Sequence, residues 1–193
     1  MDNVTTASNE LIFSEARDLG SRLIWLHTYG ERFHRADFGP RVPHVEGLGW
    51  NTPITAIPEG PADISYDEEQ QTITIGDGSI TGVQPEVWNF SVSQWKVVQK
   101  WIGQRTRTGI GRAASRPQPL DMIRPTAWED QWNDELLDLL RVLTVTLDLH
   151  DNQVALFERI VTSDIFVRSD LPDPTADQQS EPTRPRPSNP TLI

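Results

Sequence analysis

Ala62-Asp63-Ile64-Ser65-Tyr66-Asp67-Glu68-Glu69-Gln70-Gln71-Thr72-Ile73-Thr74-Ile75 is the stretch that decides the fold class. Apolar residues recur at every second position on both sides of the polar run Asp67-Glu68-Glu69-Gln70, which is the period of a strand and not of a helix. Residues 62–66 and 71–75 therefore read as a hairpin, closed by Gly76-Asp77-Gly78. Residues 80–83 add a candidate strand, and 87–92 place Val87 and Trp88, then Phe90 and Val92, in a further extended run.

Helical periods flank this small sheet. Upstream, Ser8 or Asn9 can cap a helix to about residue 28, with Ile12, Ala16, Leu19, Leu23 and Leu26 on one face. Residues 29–61 hold ten glycines and prolines and read as irregular connection, with a short strand at 54–57. Downstream, Ser93 can cap a helix from 94 to about 104 that buries Trp95, Val98 and Ile102. Thr126-Ala127-Trp128-Glu129 forms a capping box opening a helix to about 149, with Trp132, Leu136, Leu139, Leu140, Leu143 and Leu147 on one face. Asp151 can cap a last helix, 153–161, burying Val154, Phe157 and Val161. The expected fold is α+β: a single domain of about four helices with a small antiparallel sheet or hairpin. Beyond Ser169 the chain is rich in Pro, Asp, Gln and Ser and reads as a disordered C-terminal tail.

Composition bounds the function. The chain has 193 residues, 36 % hydrophobic and 23 % charged, which suits one core. It has no cysteine, so disulfides and thiolate metal sites are excluded. No apolar run of membrane-spanning length occurs, and no basic stretch followed by an apolar one opens the chain, so a cytoplasmic protein without membrane contact is expected. The net charge of −11 opposes non-specific nucleic-acid binding. Its distribution is uneven, however. Lys96, Lys100, Arg105, Arg107, Arg112, Arg116 and Arg124 are opposed between 96 and 124 only by Asp121.

Catalytic signatures fail one by one. No glycine-rich loop precedes Lys96 or Lys100, as a phosphate loop requires, and no acid lies two residues before either lysine, as a two-acid nuclease site would place it. No Gly-x-Ser-x-Gly elbow occurs. Gly109-Ile110-Gly111-Arg112-Ala113-Ala114 matches a dinucleotide fingerprint in letters only, because Arg105-Thr106-Arg107-Thr108 before it is no buried strand. His27, His34, Asp37 and His44 have spacings that suit no compact metal site. No catalytic residue, cofactor or metal is expected, and the chain alone is not expected to be an enzyme.

The run Pro85-Glu86-Val87-Trp88-Asn89-Phe90-Ser91-Val92-Ser93-Gln94-Trp95-Lys96-Val97-Val98-Gln99-Lys100-Trp101 resembles a segment of the C-terminal specificity domain of Type ISP restriction-modification enzymes. Ala16-Arg17-Asp18-Leu19-Gly20, Leu26-His27 and Gly30-Glu31-Arg32-Phe33 are similar to that domain as well, and so is the leucine-rich helix containing Glu135-Leu136-Leu137-Asp138-Leu139-Leu140. The likeness spans about residues 9–161. With a start that reads as frayed and the polar tail, the expected organisation is a flexible N-terminus over 1–8, a specificity-like domain over 9–168 and a disordered tail over 169–193. In that family one long polypeptide carries nuclease, ATP-driven translocase and adenine methyltransferase parts, and this domain reads the DNA target. The present chain lacks the Asn/Asp-Pro-Pro-aromatic motif and the glycine-rich S-adenosylmethionine loop of the methyltransferase. The resemblance thus implies a DNA target-recognition module whose partners are double-stranded DNA and methyltransferase and translocase subunits of the same system.

Lys96, Lys100, Arg105, Arg107, Arg112 and Arg116 are the candidate DNA-binding residues. Lys96 and Lys100 stand four apart on the expected helix and share a face, and the arginines suit bidentate contact with guanine or phosphate in a loop that Gly109 and Gly111 let adapt. The competing reading is a solvated loop whose arginines pair with the acidic helix after 126. Trp88 and Trp95 read as core residues. The rival function is an acidic protein-interaction module, or DNA mimic, that binds a restriction-modification or other DNA-binding enzyme. A scaffold docking onto a methyltransferase is a third.

Overall fold

A computed structural model describes residues 2–39, 41–109, 111, 115–116, 118–163 and 173–179. The chain divides into two units, Met1–Val161 and Thr162–Ile193. The first unit is mixed α+β, as expected. Helix α1 (Asp2–His27) leads into irregular chain, followed by β1 (Gly49–Thr52), β2 (Ile64–Asp67), β3 (Thr72–Ile75) and β4 (Gly78–Thr81). Helix α2 (Pro85–Trp88), a short hairpin of β5 (Ser91–Val92) and β6 (Trp95–Lys96), and α3 (Val97–Gly103) come next. Two longer helices, α4 (Gln131–Asp148) and α5 (His150–Thr162), end the unit. In the second unit, α6 (Ala176–Gln179) is the one described helix lying wholly inside it, with the Gln179 side-chain amide donating to the Pro174 carbonyl at 2.9 Å. Residues 169–172 and 180–193 of the expected tail, and 164–168 before it, lie outside the described residues.

The quoted stretch forms the expected hairpin. β2 and β3 pair antiparallel with Ile64 opposite Ile75 and Tyr66 opposite Ile73. The sheet continues through β4 to β1, in the order β1-β4-β3-β2. The period of two puts Ile73, Ile75 and Ile80 on the buried face, each fully enclosed. Gly78 is required there: a Cβ would stand 2.5 Å from Ile54 Cγ1, so only a bare backbone admits Ile54 against the sheet.

The edge strand is not the expected one. Residues 54–57 are not a strand; Gly49–Thr52 is, joined to β4 with an irregularity between Trp50 and Thr52. Ile54 still enters the core, but its backbone is held by a side chain. Asn133 of α4 donates through Nδ2 to the Ile54 carbonyl at 3.1 Å, and its Oδ1 accepts from the Ile54 N–H at 3.2 Å. The same Oδ1 accepts from Trp128 Nε1 at 3.3 Å, and Trp50 Nε1 donates to the Asn133 carbonyl at 3.3 Å. One amide therefore substitutes for a strand neighbour.

Other expectations are corrected for local reasons. Trp88 is helical and not in a strand, because Pro85 starts a turn of helix at its first position. Its ring stacks on Tyr66, centroids 5.3 Å apart. The capping box at Thr126 does not open the long helix, which begins at Gln131. Residues 126–129 stay irregular and let Trp128 enter the core, edge-on to Trp132 at 5.2 Å. Val154, Phe157 and Val161 are exposed, and Leu156 is the residue of α5 that is buried.

The face expected of α1 is observed, with Ile12, Ala16, Leu19 and Leu23 half-buried and Leu26 buried, although the helix starts at Asp2, upstream of the expected cap. Trp25 and Leu26 pack on Val142 of α4, with Tyr29, Phe38 and Val145 around them. The Gly30 N–H bonds the Trp25 carbonyl and the Tyr29 N–H the Leu26 carbonyl, closing α1 with a Schellman motif. Among the described residues no helix is long and apolar enough to cross a membrane.

Candidate nucleic-acid interface

Structure separates the five candidate residues that lie among the described ones. Lys96 and Lys100 do not share a helix. Lys96 ends strand β6 and Lys100 lies on α3, because the chain turns at Ser93-Gln94 where helix was expected. Val92 pairs with Trp95 and Ser91 with Lys96 across this turn. Ser93 has φ 57° while Gln94 is not in the positive region, the pattern of a type II′ turn. Glycine ordinarily takes that first position, so Ser-Gln carries no strong hairpin signal, and that is why the sequence reads as helix.

The turn reverses the fate of Trp95. Its ring was expected in the core; it is 62 % exposed, and Val92 opposite it is 59 % exposed. Every residue from 91 to 96 is exposed. Behind the hairpin, the Val97 N–H bonds the Phe90 carbonyl at 3.0 Å, and Val98 and Ile102 are buried as expected. Lys96 Nζ donates to Asn89 Oδ1 at 3.0 Å, and Lys100 Nζ stands 4.4 Å from the Trp95 ring centroid, over its face. Among the described residues neither lysine has a carboxylate partner.

The arginines that follow are tied into the domain. Arg105 has a side chain only 20 % exposed; its guanidinium lies 3.6 Å from the Trp101 centroid and 5.2 Å from that of Trp132. Its Nη2 donates to Glu135 on α4 at 3.1 Å, and its Nη1 to the Trp101 carbonyl at 3.3 Å. This is the pairing with the acidic helix that the competing reading foresaw. Arg107 pairs with Glu59 at 2.9 Å with about half of its side chain exposed. The loop is held there by the backbone: the Arg107 N–H bonds the Pro58 carbonyl and the Thr108 N–H the Glu59 carbonyl. Arg116 is exposed, and Arg112 lies outside the described residues.

One feature near this region does not suit a polyanion. Tyr29, Arg41, Trp101, Asp134, Glu135 and Asp138 help line a hollow of about 550 Å³ whose three carboxylates repel phosphate. Burial, with Asp138 and Glu135 nearby, pushes the Tyr29 phenol above its ordinary range, so it stays neutral. Among the described residues no group of three or more His, Asp or Glu side chains is arranged to hold a metal ion. The segment before Gly109 is helix α3 and irregular chain, not the strand a dinucleotide loop follows.

The model of one protein family, the Type ISP C-terminal specificity domain, matches residues 4–139, more than half of the chain and all of the sheet, the β5–β6 hairpin and α3. No curated protein and no solved structure matches the chain.

Proposed function

We propose that this chain, which belongs to the Type ISP C-terminal specificity domain family, is a DNA target-recognition module of a restriction-modification system. The family membership carries the reading. The segregation of charge supports it: the only two lysines of a protein of net charge −11 stand together at an exposed hairpin, without carboxylate partners among the described residues. Phosphate contacts of that kind position a module on a duplex, and base-edge contacts then give sequence.

Segment 96–116 remains the proposed DNA-facing surface, with a division of labour. Lys96 and Lys100 meet phosphate, the exposed Arg107 and Arg116 add positive charge, and Arg112 is a candidate from the sequence alone. Arg105 acts through the packing of the domain. Cleavage, ATP hydrolysis and methyl transfer are assigned to other parts of the system, because the phosphate loop, the acid two residues before a lysine, and the Asn/Asp-Pro-Pro-aromatic motif do not occur in the chain's sequence. Methyltransferase and translocase parts are the proposed protein partners.

The test is binding of labelled duplex DNA by the whole chain across a salt series. Each phosphate contact contributes about 0.9 to the log–log salt slope, so the Lys96→Ala, Lys100→Ala double variant should lower the slope by about 2. A parent chain that binds no duplex at low salt, alone or joined to its methyltransferase partner, overturns the reading in favour of an acidic protein-interaction module. Methyl transfer from S-adenosylmethionine by the purified chain alone would overturn the assignment of catalysis elsewhere.

A further inference from the structure

We propose that the β5–β6 hairpin is a DNA-probing finger, in which the Trp95 indole stacks on a base of the target while Lys96 and Lys100 hold the flanking phosphates. This rests on the DNA-recognition reading and gives that surface a mode of contact. Three independent observations converge on it. A tryptophan and a valine paired across a two-residue turn are both more than half exposed, although the domain has an apolar core beside them. The turn holds a serine at φ 57°, in the left-handed region that favours glycine, so the finger keeps its shape at a conformational cost. The protein's two lysines are both placed here, one with its ammonium against the indole face.

The geometry suits a nucleobase on a polyanionic chain better than an apolar partner. Lys100 lies over one face of the ring and orients it by a cation–π contact, and a base can stack against the remaining exposed surface. Lys96 pairs with Ser91 in the hairpin and so projects from the opposite side to Trp95, which places positive charge on both sides of the finger. Its hydrogen bond to Asn89 is to a neutral amide, leaving the charge available to phosphate. A purely apolar docking surface would have no use for two unneutralised ammonium groups at its rim. Sequence tolerance follows as well, since every base has a π-face; the finger contributes affinity and local unstacking more than base identity.

The experiment uses the whole chain and a duplex that it selects from a randomised pool. Lysine acetylation read by mass spectrometry needs no variant, because Lys96 and Lys100 are the only lysines. Bound duplex should slow acetylation of both. In a 5-fluorotryptophan-labelled chain, the fluorine resonance missing from Trp95→Phe should shift on binding. Trp95→Ala should weaken binding about tenfold, with Trp95→Phe retaining most of it. If the chain selects and binds no duplex, the DNA-recognition reading fails and the finger with it. If it binds a selected duplex but both lysines acetylate at the free rate, the finger is overturned while the reading stands. Protection of the lysines with an unmoved Trp95 resonance, or with full affinity in Trp95→Ala, overturns the stacking. Should Trp95→Ala not fold, acetylation and the fluorine spectrum decide.

Discussion

At the scale of single residues, two side chains carry more than their exposure suggests. Asn133 satisfies both backbone groups of Ile54 and the Trp128 indole N–H at once. Replacing it by leucine keeps the volume and strands three polar groups in a partly buried setting, where a lost partner costs more than a hydrogen bond gains. Asn133→Leu should therefore lower stability by about 2–3 kcal/mol in urea unfolding, far more than an exposed substitution. Arg105 is the second case. Its cation rests on Trp101 and is fixed by Glu135, so Arg105→Ala should cost about 1–2 kcal/mol of stability. Arg107→Ala, removing a half-exposed pair with Glu59, should be near neutral in the same measurement.

Among the elements, the β5–β6 hairpin and the β3–β4 connection depend on special backbone or charge. Ser93 in the left-handed region tolerates glycine and resists a β-branched residue. Ser93→Val should speed amide exchange at Val97, whose N–H closes the base of the hairpin on Phe90, and Ser93→Gly should leave it unchanged or slower. In the β3–β4 turn, Asp77 accepts from the Thr55 hydroxyl, the Thr55 N–H at 3.1 Å and the Ala56 N–H at 3.3 Å. These bonds, the hydroxyl's foremost, hold its carboxyl below the ordinary range. Its contribution is thus present above the unfolded-state value and fades as pH falls through the lower folded one. Asp77→Ala should loosen the 55–56 segment at neutral pH, read as faster exchange of the Thr55 and Ala56 amides, and the difference from the parent should shrink in acid.

For the whole molecule, the contact between α1 and α4 joins the N-terminal helix to the sheet-bearing core. Beside Trp25, Leu26 and Val142, it includes His27 Nε2 at 3.0 Å from Thr146 Oγ1. The threonine hydroxyl has one proton, and at 2.7 Å from the Val142 carbonyl it donates there, so its oxygen accepts from the imidazole N–H. Burial lowers the His27 pKa from its ordinary value. The unfolded chain then binds the proton more readily than the folded one, and stability falls as pH drops below the ordinary histidine range toward the lower folded value. The melting temperature should decline between pH 7 and 5, and His27→Gln should remove part of that decline. An unchanged slope in the variant would show that the titration of this residue does not cause the decline.

What the sequence determined by itself was whatever rests on period and local chemistry: the β2–β3 hairpin, the inward faces of α1 and α4, the buried Val98 and Ile102, and the clustering of positive charge after residue 96. Those signals are carried by neighbours along the chain and survive without knowledge of partners. Tertiary structure decided which residues of an apolar run found something to pack against. Trp128 gained the core by leaving its helix irregular, whereas Phe157 and Val161 kept helical spacing and stayed exposed. Ile54 reached the interior without a strand because an amide from residue 133 met its backbone. Trp95 sits at core spacing in the sequence and at the surface in the fold, because a turn two residues before it changes the period from helix to strand. Burial is a property of pairs of surfaces, and a linear pattern specifies only one member of each pair.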